Sequence, residues 1–171
     1  MTSSFLSSDL TTRLRRSVLV GGVLFLSLTA ANCGDDEDDD DGGTGPSADC
    51  LEELNFAGAP FGEDDAESIE VNDSESGSLS TSDPEDEEGY FYDVYTFGTE
   101  SERDVSITLD PSGFDAMLVL TYPDLELIDI ADQEGEVTET LVASVDEGCY
   151  VIIVTSFEVS ETGSYTLSVE D

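Results

Sequence analysis

The chain has 171 residues, which is enough for one domain and a targeting segment. Its 42 aspartate and glutamate residues face only 4 lysine and arginine residues, for a formal net charge of −38. This balance excludes nucleic acid as a partner, because the chain has almost no cations to replace the counterions of the phosphates. Repulsion on this scale destabilises a compact chain in dilute salt, so the composition is typical of a halophilic protein whose charges are screened.

The sequence contains no histidine and no lysine. The usual general base, the usual zinc ligand, the Ser-His and Cys-His nucleophiles and the Schiff-base lysine are therefore excluded. Paired carboxylates are still available, and with them a carboxylate-dependent hydrolase is the alternative from the enzyme class. Since so many acidic residues must form pairs by chance, we expect a protein that is not an enzyme.

The N-terminal residues have the pattern of an export signal. Three arginines within residues 13–16 precede an apolar run at 17–28, which is too short to span a bilayer and typical of a signal-peptide core. Small residues then lead to Cys33, in a pattern that resembles a bacterial lipobox. We predict a lipoprotein-type signal peptide over residues 1–32 and a lipid on Cys33; ordinary cleavage after Ala31 is the alternative.

Residues 33–49 are acidic and rich in glycine, with no apolar pattern. Such a segment cannot bury enough surface to fold, so we predict a disordered tether between a membrane anchor and a domain at 50–171. Fully extended, its sixteen residues after the cysteine would reach roughly 50 Å. The expected location is the cell envelope, at the outer membrane or cell surface, or else the medium.

The chain has three cysteines. Lipidation of Cys33 leaves Cys50 and Cys149 as an even pair in an oxidising compartment, which favours a disulfide. The bond would pin the start of the domain to a strongly apolar strand. Two buried free thiols are the alternative.

Residues 50–171 consist of strand-length runs between turn residues, without a useful stretch of helical periodicity. The central run, Gly89–Thr99, alternates, with Asp93, Tyr95 and Phe97 on one face. The predicted strands are 68–72, 77–81, 89–99, 104–110, 114–122, 125–130, 137–142, 149–157 and 163–169, with an acidic turn at 73–76. This pattern predicts an all-β sandwich of about eight to nine strands.

Five short motifs follow one another between residues 68 and 169. They are Gly77 and Leu79; Asp93, Tyr95 and Phe97; Phe114, Asp115 and Leu118; Pro123 and Leu127; and Gly163, Tyr165, Leu167 and Val169. In this order they resemble the bacterial pre-peptidase C-terminal domain, which is typically appended to secreted peptidases and other extracellular enzymes. The resemblance implies a jelly-roll-like β-sandwich with a role in secretion or attachment, and relatives bind calcium or matrix polymers.

Two pairs of residues are candidate binding groups. Asp93 and Asp115 share the parity of core residues, and a buried carboxylate needs a hydrogen-bond partner or a cation. Main-chain amides at a sheet corner are one candidate partner, and calcium, which prefers oxygen ligands, is the other. Tyr90 and Tyr92 could form an aromatic platform for a glycan or peptide, or could simply cover the sheet.

These observations predict an exported, lipid-anchored, non-catalytic module for binding or surface display, accessory to extracellular enzymes or matrix. Its expected partners are the membrane, through the lipid, and a polysaccharide or an extracellular protein. The alternative among non-enzymes is a calcium-stabilised structural module. A hydrolase would instead need two carboxylates facing each other across a cleft, about 5–10 Å apart.

Overall fold

The computed structural model describes Cys50, Phe56, Ala59 and residues 61–171. The predicted signal peptide and tether, including Cys33, lie outside these residues. Within the part that is described, no helix is long and apolar enough to cross a membrane.

Nine strands follow a short 3-10 turn at Glu63–Asp65. They are β1 (Ala66–Ser68), β2 (Asp73–Leu79), β3 (Asp93–Thr99), β4 (Arg103–Ser112), β5 (Ala116–Thr121), β6 (Leu127–Ala131), β7 (Glu139–Val145), β8 (Gly148–Ser156) and β9 (Gly163–Glu170). The prediction of an all-β chain with about nine strands is confirmed.

The strands form two sheets. One has five strands in the order β1-β3-β8-β5-β6, and the other has four in the order β2-β9-β4-β7. All pairs are antiparallel except the short β1, which lies parallel to β3. Apart from β1 and the hairpin of β5 and β6, successive strands alternate between the sheets, and the orders 2-9-4-7 and 3-8-5-6 are those of a jelly roll. The jelly-roll-like sandwich implied by the motifs is therefore present.

The space between the sheets is filled by a single apolar cluster. On β4, Val105, Ile107 and Leu109 are buried while their neighbours Asp104 and Asp110 are exposed, as the alternation predicted. The inward-facing residues of the other strands add large side chains from both sheets, such as Phe97, Leu118, Leu120, Ile152 and Leu167.

The outer face of the five-stranded sheet is also apolar, because β3, β5 and β8 bury side chains on both faces. Phe56 and Phe61 cover this outer face, with their ring centroids 5.1 Å apart and Phe61 5.8 Å from Tyr92. The covering segment begins at Cys50, which forms a disulfide with Cys149 on β8. The predicted disulfide is confirmed, and it fastens the start of the domain to the centre of this sheet.

The prediction was wrong at the first strands. Residues 73–76, predicted as an acidic turn, belong to β2, which pairs along its whole length with β9. The turn lies just before it, where Asn72 takes a positive φ of 71°. β2 is an edge strand whose only buried side chain is Leu79, so its sequence lacks the apolar alternation by which strands are recognised.

Candidate functional site

Motif residues of three strands, β2, β3 and β9, meet inside the sandwich. Tyr165 on β9 donates a hydrogen bond to Asp93 Oδ2 on β3 at 2.5 Å, and its hydroxyl lies 2.9 Å from that of Tyr95. These bonds connect the two sheets. The partner of Asp93 is thus a hydroxyl from the opposite sheet, in place of the main-chain amides expected at a sheet corner.

Glycines make room for the Tyr165 ring and its neighbour. A Cβ atom on Gly77 would lie 2.3 Å from the ring and hydroxyl of Tyr165. The ring of Phe114 meets Tyr165 edge-on at 6.4 Å, and a Cβ atom on Gly163 would lie 2.6 Å from Phe114. The glycine and aromatic positions of the motifs therefore serve one packing arrangement.

Burial dominates the electrostatics of this network. It raises the pKa of Asp93 from 3.8 to about 6, helped by the charges of Asp83 and Glu67, while the hydrogen bond from Tyr165 acts in the opposite direction. Burial also raises the pKa of Tyr95 to about 12 and that of Tyr165 further still. Asp93 is therefore a carboxylate that takes up a proton below neutral pH while both tyrosines stay neutral.

A second group of acidic side chains lies where the chain crosses between the sheets. Asp115, just before β5, accepts a hydrogen bond from the Gly135 amide through Oδ2 at 3.0 Å. Glu139, the first residue of β7, is fully buried and accepts one from the Gln133 amide through Oε1 at 2.9 Å. The remaining oxygens, Asp115 Oδ1 and Glu139 Oε2, are buried and have no hydrogen-bond partner.

We call Glu139, which is buried, together with Asp115 and Asp132, which are partly buried, the acidic cluster. Burial raises the pKa of Glu139, the amide of Gln133 opposes this shift, and the charges of Asp132 and Asp115 add to it. Burial also raises the pKa of Asp132, with a further contribution from Asp115. The cluster thus concentrates negative charge that is poorly hydrated.

Sequence reasoning identified Asp115 but missed Glu139. The available signal was parity, because Glu139 and Leu141 are alternate residues of β7 and both are buried. A glutamate in register with a core leucine indicates an inward-facing carboxylate. Because the chain has many exposed acidic residues, the burial of Glu139 could be recognised only from its position in the strand and not from its residue type.

Tyr90 and Tyr92 belong to the apolar outer face. Tyr92 is only 9% exposed, packs against Phe61 and donates a hydrogen bond to Asp86 at 2.9 Å. Tyr90 is half-buried and packs against the same cluster. Both rings thus cover the sheet, and their part in binding a glycan or peptide stays a prediction.

Asp93 and Asp115 lie on opposite sides of β8, and the binding of calcium by either carboxylate stays a prediction. Asp93 pairs with Val154 of β8, whereas Asp115 precedes Ala116, which pairs with Ser156 on the other side of β8. Among the residues that the structure describes, no group of three or more histidine, cysteine or acidic side chains stands ready to hold a metal.

No family model matches the chain. No curated protein matches it either. Among solved structures, the chain is similar to the pre-peptidase C-terminal domain of a collagenase from Bacillus anthracis, with 23% identity and a TM-score of 0.48 over 61% of this chain and 93% of that one.

The chain is also similar to two PliG proteins, periplasmic inhibitors of g-type lysozyme. The Aeromonas hydrophila protein has 18% identity and a TM-score of 0.39 over 61% of this chain and 96% of its own. The Salmonella Typhimurium protein has 18% identity and a TM-score of 0.36 over 60% of this chain and 96% of its own. A pre-peptidase C-terminal domain, the family that the motifs resemble, is thus among the solved structures similar to this chain, and at these identities the likeness concerns the fold.

Proposed function

We propose that the protein is an exported, non-catalytic β-sandwich module, held at the cell envelope by a lipid on Cys33 and displayed at the end of an acidic tether. The observation that carries the proposal is the Cys50–Cys149 disulfide, with its Cα atoms 5.4 Å apart. Such bonds form and persist in oxidising compartments outside the cytosol. Cys50 directly follows the predicted tether, so the disulfide would fasten the end of the tether to the sandwich.

The positions of the buried carboxylates support a role without catalysis. Glu139 has no exposed surface, so it cannot touch a substrate, and Asp93 is engaged by Tyr165 between the sheets. A hydrolase that works with two carboxylates needs both at an open cleft. Together with the absence of histidine and lysine from the sequence, this favours a module that binds or presents rather than one that reacts.

The module would act near the membrane but beyond its surface. The tether at 33–49 would hold a compact sandwich up to roughly 50 Å away, within reach of polysaccharide or of other extracellular proteins. We infer that its partners belong to these two classes and that it serves extracellular enzymes or matrix as an accessory module.

The anchoring can be tested by producing the full chain and a Cys33→Ser variant in a bacterial host fed a palmitate analogue. We expect the unmodified chain to carry the label and sediment with membranes, and the variant to be unlabelled and soluble outside the cytosol. A Cys149→Ser variant is the control, since it keeps the lipidation site and should still be labelled. A label independent of Cys33, or a mature chain that begins at Asn32, would overturn the lipid anchor.

Export is read out separately by thiol alkylation of the same samples. We expect Cys50 and Cys149 to be protected from alkylation until a reductant is added. Free thiols at both positions in the extracytoplasmic fraction would contradict the argument from the disulfide.

A further inference from the structure

The four-stranded sheet has an exposed edge at β7. This strand is the last in the order β2-β9-β4-β7 and pairs with β4 on one side. Among the residues that the structure describes, no strand pairs with its other side. Alternate main-chain groups of an edge strand point away from its neighbour. The seven residues of β7 therefore offer a row of unused donors and acceptors to a further strand.

The charge of β7 sets it apart from the other edges. Proteins ordinarily protect an edge strand by making it very short or by placing charged side chains on it. The edge strand β1 has only three residues, β2 carries Asp73 and Glu75, and β6 carries Asp129. The sole acid of β7 is Glu139, which is fully buried. Within the described part of this very acidic chain, β7 is thus the long edge whose exposed side chains are all uncharged.

The exposed side chains of β7 are Thr140, Val142 and Ser144. Val142 is 69% exposed, the highest value among the large hydrophobic residues that the structure describes. The neighbouring strand continues this uncharged surface, because Ser106 pairs with Val142 and Thr108 pairs with Thr140. A further strand beside β7 would cover the valine side chain and remove apolar area from water, which is favourable.

We propose that β7 pairs antiparallel with β7 of a second copy of this chain, so that the two four-stranded sheets join into one sheet. The two-fold axis passes beside Val142, which lies opposite Val142 of the second copy. Thr140 then lies opposite Ser144, and Leu141 lies opposite Ala143. Outward side chains thus meet outward ones, and inward side chains meet inward ones, as a continuous sheet requires. This inference does not depend on lipidation or export.

The charges around β7 select this register. In the proposed pairing, no acidic residue between positions 136 and 148 lies opposite another. A shift of two residues in one direction places Glu139 opposite Glu147, and a shift in the other direction places Glu136 opposite Asp146. Like charges directly opposite each other destabilise a strand pair. A shift of one residue would turn inward side chains outward, so the register centred on Val142 is favoured over its neighbours.

The test is analytical ultracentrifugation of the full chain carrying Cys33→Ser, with its disulfide formed, in molar sodium chloride with chelator. We expect a concentration-dependent mass of two chains. Val142→Asp in this background should be monomeric at concentrations where its parent is dimeric, because it places two like charges opposite each other at the axis. The matched control is Val159→Asp, the same change at an exposed valine outside the strands, which should keep the dimer.

Salt gives a second readout of the same equilibrium. Two copies that each carry a formal net charge of −38 repel one another. The strand β6, which packs across the sandwich from β7, adds the exposed Asp129 on this side. Dilute salt should therefore shift the parent towards the monomer, and molar salt should restore the dimer.

Cross-linking reads the register directly. Residues opposite each other in an antiparallel pair bring their Cβ atoms to about 4.5–5.5 Å, close to the separation that a disulfide spans. In the Cys33→Ser background, Val142→Cys should link two chains on mild oxidation, whereas Val159→Cys should not. A mixture of Thr140→Cys and Ser144→Cys should link the two variants to each other, and neither should link to itself.

Several results would overturn the proposal. They are a monomer at every concentration in molar salt, a dimer that persists unchanged in Val142→Asp, and linking of Val159→Cys as fast as that of Val142→Cys. Linking of Thr140→Cys to itself would refute the register. If Val142→Asp does not fold, as its thermal unfolding will show, the comparison of Val142→Cys with Val159→Cys decides the matter.

Discussion

Tyr165 shows how much one residue contributes to this fold. Its hydroxyl reaches from β9 to a carboxylate and a second hydroxyl on β3, while its ring occupies the space above Gly77. Three of the sequence motifs supply these groups, and each reads as unremarkable in isolation. Their common purpose is to hold the two sheets together through a buried polar contact, and such contacts are strong only when every member is satisfied.

Asp93 gives the protein an unusual dependence on pH. Its pKa is about 6 in the folded chain against an ordinary 3.8, so the folded state binds the proton more tightly than the unfolded chain does. The free energy of unfolding contributed by Asp93 is therefore fully present below about pH 4 and is lost as the pH rises to about 6. We expect Asp93→Asn to flatten this part of the profile, measured by urea unfolding across the range in molar salt.

Two further variants sharpen that measurement. Tyr165→Phe removes the hydrogen bond that lowers the pKa of Asp93, so its loss of stability should extend to higher pH. Asp104→Asn, an exposed control, should leave the profile unchanged. Parallel profiles for the Asp93 variant and the unmodified chain would refute the role given to this carboxylate.

Gly77 should tolerate no side chain. In Gly77→Ala the new Cβ atom would lie 2.3 Å from Tyr165, so the edge strand β2 or the ring has to move. Overpacking of this kind costs about 1–3 kcal/mol in the free energy of unfolding, and chemical denaturation measures it. Ser78→Ala, at the exposed neighbouring position of the same strand, is the control; equal stability of the two variants would contradict the packing argument.

Residue patterns predicted the inward parity of Asp93, whereas they could not predict what meets it. Parity depends on the alternation within β3, which is local. The partner Tyr165 comes from 72 positions further along the chain, and no local pattern encodes that distance. Glu139 was missed for a related reason, because burial of an acid on an acidic chain depends on the crossing that covers it.

At the scale of elements, β8 organises the molecule. It lies at the centre of the five-stranded sheet, pairs with β3 and β5, and carries Cys149. Its residues 149–154 form a continuous apolar run because both faces of the strand are covered. Sequence reasoning recognised the apolar strand and the disulfide, but it did not predict that Phe56 and Phe61 cover the outer side of this sheet.

The disulfide should account for a large share of the stability. It joins residues 99 positions apart, and a closed loop of about a hundred residues stabilises by roughly 4–5 kcal/mol in the chain-entropy model. We expect the Cys50→Ser, Cys149→Ser double variant to lose about that much in guanidinium unfolding. Its curve should not respond to reductant, whereas the unmodified chain should fall to the variant's value. A loss below about 1 kcal/mol would mean that the loop is already restrained in the unfolded chain.

At the scale of the whole molecule, charge decides the conditions under which the fold persists. The net charge is −38, and Arg103–Asp171 is the sole ion pair between side chains in the described part of the chain. Dissolved salt opposes this self-repulsion, because the distance over which two charges repel each other falls from about 10 Å at 0.1 M salt to about 3 Å at 1 M.

The unfolding temperature should accordingly rise steeply from dilute to molar salt. Sodium chloride and potassium chloride should act alike, because screening depends on ionic strength rather than on the identity of the ion. Calorimetry in both salts measures this in the presence of chelator. A flat response would show that the acidic surface is already tolerated in dilute solution.

The bond between Cys50 and Cys149 also determines how the molecule bears a mechanical pull. Tension that arrives along the chain before Cys50 passes through the covalent bond directly into β8, and the chain between the two cysteines, which are 99 positions apart, stays out of its path. Against a load at the C-terminus, only β8 and β9 can be drawn out, an extension of roughly 75 Å. Both are inner strands, held by neighbours on each side, so any stretching of the module must begin by shearing its best-supported strands.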